Sequence, residues 1–163
     1  MHRCLPIVLL GAACLSACNI VGGELNTAIE EDGSGAIQLA VGYLLDEEED
    51  EAIECTPDDT ASGATAWLEQ RGAETWCVTQ VPFASLRGLR DLYVATFEGA
   101  ARIHCLALED ERLTYDVEIV PDEPLEESSD GSAVYWRVTA PGEIDSTNAG
   151  TVEGSRMVWS VSG

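Results

Sequence analysis

The clearest structural pattern in the chain is a pair of segments in which apolar and polar residues alternate. Leu25–Glu30 and Ile37–Tyr43 both alternate with a period of two residues, as β-strands with one buried face do. Glu31–Gly35 between them contains Asp-Gly, a strong signal for a tight turn. The segments therefore predict an antiparallel hairpin. A calcium loop would need ligands at alternating positions over about twelve residues, and these ligands are missing here. We therefore interpret the acids of Glu31–Gly35 as turn residues.

Strand patterns recur further along the chain. A second hairpin is predicted around Glu109–Glu111, and pairing Leu108 with Leu113 places His104 opposite Val117. His104 then lies on the same strand face as Leu106 and Leu108, and a histidine on an apolar face more often packs in the core than acts in catalysis. The arms of this hairpin and the other strand patterns are Ala101–Leu108, Arg112–Val120, Thr75–Phe83, Val134–Val138 and Met157–Val161.

Three segments carry the signals of amphipathic helices. Asp46–Glu54 begins with six consecutive acids, which suit a helix N-terminus. Ala61–Leu68 follows residues that can cap a helix and precedes Gly72, a natural stop. Ser85 can cap a third helix, with an apolar stripe that begins at Leu86. Together the patterns predict an α+β fold, a two-layer sandwich of a mainly antiparallel sheet with two or three helices on one face.

The N-terminus has the pattern of an export signal. Met1–Arg3 carries one fixed positive charge, and Cys4–Ala17 is an apolar or small run of 14 residues. This run is too short for a membrane helix and suits a secretory signal. It ends in Leu-Ser-Ala-Cys at Leu15–Cys18, which resembles the lipobox of bacterial lipoproteins. The alternative is a plain secretory signal with an incidental cysteine.

Cleavage before Cys18 makes this residue the predicted lipidation site. Two or three acyl chains on one cysteine, such as palmitate, meet the need for more than one lipid signal in stable anchoring. The predicted organisation is a signal peptide over residues 1–17, a short lipidated tether over 18–23 and a single domain over 24–163. By resemblance to lipoproteins, Asn19 indicates the outer membrane if the host is Gram-negative. We expect a protein of the cell envelope, held to the membrane by its acyl chains and without a transmembrane helix in the mature chain.

The charge of the chain is strongly one-sided. It has 30 Asp and Glu against 8 basic residues, all of them Arg, for a formal net charge of −22. This charge argues against nucleic acid as a partner, because phosphate binding needs clustered cations. The same charge repels anionic lipid headgroups, and the surplus of acids resembles that of proteins from salt-rich habitats. Pro121–Gly131, rich in Pro, Glu and Ser, is interpreted as an acidic loop.

Three cysteines remain when the signal and Cys18 are set aside: Cys55, Cys77 and Cys105. Export permits a disulfide, and three thiols leave one over. If Trp76 points into the core, Cys77 and Cys105 share an outward face, which makes Cys77–Cys105 our first choice and Cys55–Cys77 the alternative. The sequence has no Cys-x-x-Cys pair, so a zinc site is not expected, and we expect neither a metal nor a cofactor.

The sequence contains no recognisable catalytic motif. The mature chain has one His, no serine nucleophile motif and no Gly-rich phosphate loop. A carboxylate pair that meets in space stays open as an alternative, because it leaves no signature in the sequence. We therefore expect that the protein is not an enzyme.

Two groups of turn and strand residues resemble the LppM-type domain of bacterial lipoproteins. One is the hairpin around Glu31–Gly35, and the other consists of Ala140–Ile144, Asn148 and Met157–Trp159. The resemblance implies a two-layer α/β domain attached to the envelope, a role in handling or sensing lipids, and no catalytic residues to carry over. Members often end in a membrane helix, which is not seen after the last strand here, so anchoring is expected to rest on the N-terminal cysteine.

Two hypotheses for the function follow. The first is a non-catalytic lipoprotein that binds a lipid or another envelope component, with Trp136 and Trp159 as the candidate lipid contacts. The second is a structural or protein-interaction lipoprotein of the cell envelope without a small-molecule ligand. A groove lined by tryptophans, Trp67 and Trp76 included, would favour the first hypothesis. Tryptophans packed inside the domain would favour the second.

Replacing Cys18 tests the predicted anchor, because the change removes the thiol that receives the acyl chains. We expect the Cys18→Ala variant to accumulate as an unprocessed precursor without acylated product, as measured by mass spectrometry of the membrane fraction. A soluble wild-type chain whose N-terminus lies elsewhere would contradict this prediction and favour the plain secretory signal.

Overall fold

The structure is a computed structural model that describes residues 20–44, 53–57, 62–97, 101–109, 112–119, 133–144 and 146–161. The lipidation site Cys18, the acidic run Asp46–Glu51 and the loop Pro121–Gly131 lie outside the described residues. What the sequence predicts for them stays a prediction.

The described residues contain nine strands and one helix. The helix, α1, spans Leu86–Thr96. The strands are β1 (Ile20–Ile29), β2 (Gly35–Leu44), β3 (Thr65–Arg71), β4 (Glu74–Phe83), β5 (Ala101–Glu109), β6 (Arg112–Ile119), β7 (Ala133–Thr139), β8 (Thr151–Glu153) and β9 (Arg156–Val161). No helix in this part of the chain is long and apolar enough to cross a membrane.

Seven of the strands form one mixed sheet in the order β3-β4-β2-β1-β7-β9-β8, and β5 and β6 form a separate hairpin. Strand β1 is the middle of the large sheet. It pairs antiparallel with β2 and parallel with β7, so that Leu25 lies between Leu39 and Trp136. The other neighbouring strands pair antiparallel.

The two faces of the large sheet differ in chemistry, as the alternation along β1 shows. Leu25, Thr27 and Ile29 are buried and point to one face, which we call the covered face. Glu24 and Asn26 point to the opposite face, which we call the open face. Helix α1 and the β5–β6 hairpin pack on the covered face and enclose the core between the two layers.

The first predicted hairpin is confirmed as β1 and β2. Its turn is held by the carboxylate of Asp32, which accepts hydrogen bonds from the Ser34 backbone N–H at 2.9 Å and the Ser34 hydroxyl at 2.6 Å. Gly33 has a φ of 79°, a left-handed conformation that favours glycine. The acids of this segment therefore serve the turn.

The helix predicted after Ser85 is also confirmed. The Ser85 hydroxyl accepts a hydrogen bond from the backbone N–H of Gly88 at 3.3 Å, which caps the first turn of α1. Leu89 and Tyr93, one turn apart, are fully buried against the sheet. This pair fixes the face that the helix presents to the core.

The predicted α+β sandwich with two or three helices is wrong, because the described residues contain one helix and are mostly strand. Within Ala61–Leu68, predicted to be helical, Thr65–Leu68 belong to β3, which pairs with β4 at the edge of the sheet. Thr and Trp favour extended backbone, and Gly72, with a φ of 66°, forms the β3–β4 turn in place of a helix end. The second covering element is the β5–β6 hairpin. Ile53 and Glu54, at the end of the predicted acidic helix, are not helical.

The predicted register of the β5–β6 hairpin is correct near its turn and wrong further away. Leu108 pairs with Leu113 as expected. A β-bulge at His104 then shifts the register, so that Ile103 and not His104 lies opposite Val117. His104 is exposed as a result, and the apolar environment predicted for it is wrong.

One disulfide joins Cys55 to Cys77, with the two Cα atoms 5.5 Å apart. The first choice, Cys77–Cys105, is therefore wrong, and the alternative pairing is the one present. Trp76 points to the open face, so Cys77 faces the covered side of β4. Cys105 lies in the separate β5–β6 hairpin, where it is a half-buried free thiol.

Loss of the disulfide should destabilise the domain. The bridge spans a sequence separation of 22 residues, and closing a loop of this length in the unfolded chain contributes about 3 kcal/mol. We expect Cys55→Ser to lower the free energy of unfolding in urea by about that amount. Cys105→Ser is the matched control and should change it little. Equal stability of Cys55→Ser and the wild type would contradict the prediction.

Candidate functional site

Trp136 and Trp159 lie side by side on the covered face of the sheet. They are direct cross-strand partners on β7 and β9, and their ring centroids are 5.5 Å apart. Aromatic pairs at this separation contribute about 0.5–1.5 kcal/mol beyond the area they bury. The fold therefore brings together the two residues named from the sequence as candidate lipid contacts.

Two tyrosines from the covering layer extend this pair to four rings, Tyr93, Tyr115, Trp136 and Trp159, which we call the aromatic cluster. Tyr93 comes from α1 and Tyr115 from β6. The Tyr115 ring centroid lies 6.2 Å from that of Trp136 and 6.4 Å from that of Tyr93, in both cases edge to face. The aromatic cluster thus fills the place where sheet, helix and hairpin meet.

A chain of three hydroxyl groups runs through the aromatic cluster. Thr27 Oγ1 lies 2.6 Å from Tyr93 Oη, which lies 2.7 Å from Tyr115 Oη. A hydroxyl both donates and accepts, so Tyr93 can serve both neighbours at once. The chain links β1, α1 and β6, which come from three distant parts of the sequence.

Both tyrosines of the aromatic cluster are held in their protonated form. Burial raises the pKa of Tyr93, and it raises the pKa of Tyr115 well above the ordinary value. For Tyr115 the neighbouring Tyr93 adds to the rise, because one ionised phenol disfavours a second beside it. At neutral pH these groups can form hydrogen bonds but cannot act as bases or anionic nucleophiles.

Burial decreases from the centre of the aromatic cluster towards its edge. Tyr93 is completely buried, whereas Tyr115, Trp136 and Trp159 are half-buried. The indole Nε1 of Trp159 donates to Asn148 Oδ1 at 3.1 Å. The indole Nε1 of Trp136 is buried and makes no hydrogen bond of standard geometry among the described residues, but it faces the hydroxyl groups of Tyr93 and Tyr115, and its interaction with them lowers their pKa against the larger rise caused by burial. This N–H therefore points into the interior of the aromatic cluster and away from its accessible edge.

The other two tryptophans lie away from the aromatic cluster. Trp76 is buried on the open face, packed over Gly42. The guanidinium of Arg71 lies 4.5 Å from the centroid of its ring, and its Nε1 donates to Glu74 at 2.9 Å. Trp67 lies on edge strand β3 and is 38% exposed. Neither residue forms a common lining with Trp136 and Trp159.

The open face carries a polar groove that the sequence did not reveal. Its volume is ≈ 830 Å³, and none of the four tryptophans lines it. At one side, Glu24 places its two carboxylate oxygens 3.1 Å from Arg71 Nη1 and 3.0 Å from Arg137 Nη1. Arg137 also donates to Asn26 Oδ1 at 3.3 Å. These charges compensate one another within the groove, which differs in chemistry from a lipid pocket.

Glu24 is a structural carboxylate. Burial by itself raises its pKa, but hydrogen bonds from Arg71 and Arg137 outweigh burial and hold the pKa below the ordinary value. Its contribution to stability is present above its ordinary pKa and is lost as the pH falls through its lowered pKa. Alternation along β1 could have placed Glu24 on the polar face. Its two partners come from β3 and β7, and no sequence signal pairs those strands with it.

Within the part of the chain that the structure describes, no group of three or more His, Cys, Asp or Glu is arranged to hold a metal ion. His104 Nε2 lies 3.5 Å from Glu118 Oε2 on the exposed side of the β5–β6 hairpin. Neither residue reaches the aromatic cluster.

Comparison with known proteins relates this fold to one solved structure. No known protein family matches the chain, and no curated protein is significantly similar to it. In structure it is similar to the folded domain of LppM from Mycobacterium tuberculosis, solved by NMR, with a TM-score of 0.57 and 12% sequence identity. The match covers 93% of this chain and 88% of that domain. The likeness confirms an LppM-like fold.

Replacing Tyr115 tests the hydroxyl chain. Because the pKa of Tyr115 is raised, its contribution to stability is complete below the ordinary pKa of about 10 and is lost as the pH rises through the raised value. We expect Tyr115→Phe to lower the free energy of unfolding by about 1 kcal/mol at neutral pH. Its stability should also fall less steeply than that of the wild type above about pH 10, as measured by urea unfolding across this range.

Tyr135→Phe is the control at neutral pH, because Tyr135 lies on the open face outside the hydroxyl chain. It should leave the free energy of unfolding nearly unchanged there. A Tyr115→Phe variant as stable as the wild type at neutral pH would show that the hydroxyl chain contributes nothing to the fold.

Proposed function

We propose that this protein is a non-catalytic lipoprotein of the cell envelope, anchored through acyl chains on Cys18, that binds the apolar part of a lipid at Trp136 and Trp159. The observation that carries the proposal is the half-buried indole pair at the edge of the covering layer, whose rings lie 5.5 Å apart at an angle of 41°. Apolar surface with a few placed polar groups is typical of small-molecule sites.

The difference in burial across the aromatic cluster gives such a site a closed inner end and an accessible outer end. Tyr93 closes the inner end, while Trp136 and Trp159 keep part of their surface accessible. An acyl chain that packs on the two indoles gains roughly 0.8 kcal/mol for each buried CH₂ group.

The charge of the chain narrows the ligand class. With a formal net charge of −22, the domain repels anionic headgroups at low and moderate ionic strength. Neutral or zwitterionic lipids are therefore the favoured ligands. The LppM-like fold agrees with this proposal, because the turn and strand motifs that resemble LppM-type lipoproteins imply envelope attachment and contact with lipids.

The second candidate function is a protein-interaction lipoprotein without a small-molecule ligand. One observation favours it: edge strand β3 exposes Trp67 and Leu68, which are 38% and 51% accessible. Exposed apolar edges are places where another strand can pair. This function would leave the indole pair of the aromatic cluster without a ligand.

Titration with vesicles distinguishes the two functions. The mature chain carrying Cys18→Ser, which lacks acyl chains, is mixed with vesicles of phosphatidylcholine, and binding is followed by co-flotation and Trp emission. We expect binding with a blue shift of the emission. Trp136→Phe and Trp159→Phe should each weaken binding about tenfold, which corresponds to about 1.4 kcal/mol.

The matched control is Trp67→Phe, an exposed tryptophan outside the aromatic cluster, which should bind vesicles as the wild type does. Absence of binding and of any spectral change at saturating lipid would favour the protein-interaction function. A hydrolysed lipid in the same mixture would contradict the non-catalytic part of the proposal.

A further inference from the structure

Three exposed apolar side chains lie at one end of the large sheet. Ile20 is 44% exposed, Leu44 is 42% exposed and Val134 is 44% exposed. They lie on the three neighbouring strands β1, β2 and β7. We call this group the anchor end.

The strand register places these residues at the same end of the sheet. Ile20 pairs with Tyr43, the neighbour of Leu44, and Val134 pairs with Gly23 on the other side of β1. Adjacent strands are about 4.8 Å apart. Leu44 points to the open face and Val134 to the covered face, so the anchor end presents apolar side chains on both faces of the sheet.

The chain itself restricts what can lie against the anchor end. Cys18 precedes Ile20 by two residues, and two residues span at most about 7 Å. If Cys18 carries acyl chains inserted in a bilayer, Ile20 must lie within that distance of the lipid headgroup region. A body tethered so closely presents the sheet end nearest the tether to the membrane.

We propose that the anchor end rests on the membrane surface, with Ile20, Leu44 and Val134 in contact with lipid. This inference rests on the proposed acylation of Cys18 and adds an orientation to it. The strands then rise from the membrane, and the β1–β2 turn around Gly33 points away from it.

This orientation also places the aromatic cluster. Val134 and Trp136 lie two residues apart on the same face of β7, a separation of about 7 Å along the strand. The indole pair is then reached from the bilayer along the covered face, past Val134.

Negative charge near the anchor end opposes close contact with anionic lipids. Glu74 pairs with Leu44 across β2 and β4, and the acidic run Asp46–Glu51 begins two residues after Leu44. Repulsion by anionic headgroups is screened by salt. The contact should accordingly be strongest on zwitterionic membranes and should weaken with anionic lipid at low salt.

Quenching by brominated lipid chains tests the orientation. Full-length protein is produced in a bacterial host that acylates lipoproteins, purified, and reconstituted in phosphatidylcholine vesicles that contain brominated acyl chains. A fluorophore is attached to Val134→Cys or Val152→Cys in a Cys105→Ser background under non-reducing conditions. We expect at least threefold stronger quenching at position 134 than at position 152.

Val152 is a matched control because it is also an exposed valine, at 47%. It pairs with Met157, which pairs with Val138, four residues and therefore about 13 Å along the strands from Val134. Equal quenching at the two positions, or stronger quenching at position 152, would overturn the proposed orientation. Vesicle co-flotation measures membrane attachment separately, so it shows whether the lipid anchor is present in the same sample. Loss of co-flotation together with an unmodified Cys18 would overturn the anchor and, with it, the orientation.

Discussion

The hydroxyl chain of Thr27, Tyr93 and Tyr115 is the interaction on which the arrangement of the two layers depends. Each hydroxyl would cost about 1–3 kcal/mol if it were buried without a partner, and distances of 2.6 and 2.7 Å show that none is. Apolar packing alone would let α1 and the β5–β6 hairpin slide over the sheet, because dispersion forces have little directional preference. Hydrogen bonds between defined atoms select one position. That position brings Tyr115 against Trp136 and so builds the aromatic cluster.

The same sheet separates two kinds of chemistry. On the covered face, rings and aliphatic side chains pack around the hydroxyl chain. On the open face, Glu24 is held between Arg71 and Arg137, and the arginines stack on Trp76 and Tyr135. In a chain with a formal net charge of −22, two of the eight arginines thus stabilise the middle of the sheet. The repulsion among the remaining acidic groups is screened by solvent and salt where these groups are exposed.

The proposed anchor at Cys18, the exposed residues Ile20 and Val134, and the indole pair follow one another from the start of the sheet towards its centre. Ile20 comes first, two residues after Cys18, then Val134, and then Trp136 beside Trp159. Such an order suits a domain that receives a lipid from the membrane to which it is attached. It also gives the parallel β1–β7 pair a role, because this pair brings the strand that follows the tether beside the strand that carries Trp136.

By itself, the sequence determined the local features of this protein. The Asp-Gly hairpin, the Ser85 cap and the Leu108–Leu113 register depend on neighbouring residues and on strand alternation, which are visible in the chain. Tertiary structure decided the rest. The backbone hydrogen bonds of Thr65–Arg71 could be formed in a helix or in a strand, and pairing with β4 stabilises the strand. The Cys55–Cys77 bridge, the Glu24 ion pairs and the hydroxyl chain join residues between 22 and 113 positions apart. Such contacts arise only when distant strands meet, and no periodicity in the sequence records which strands those will be.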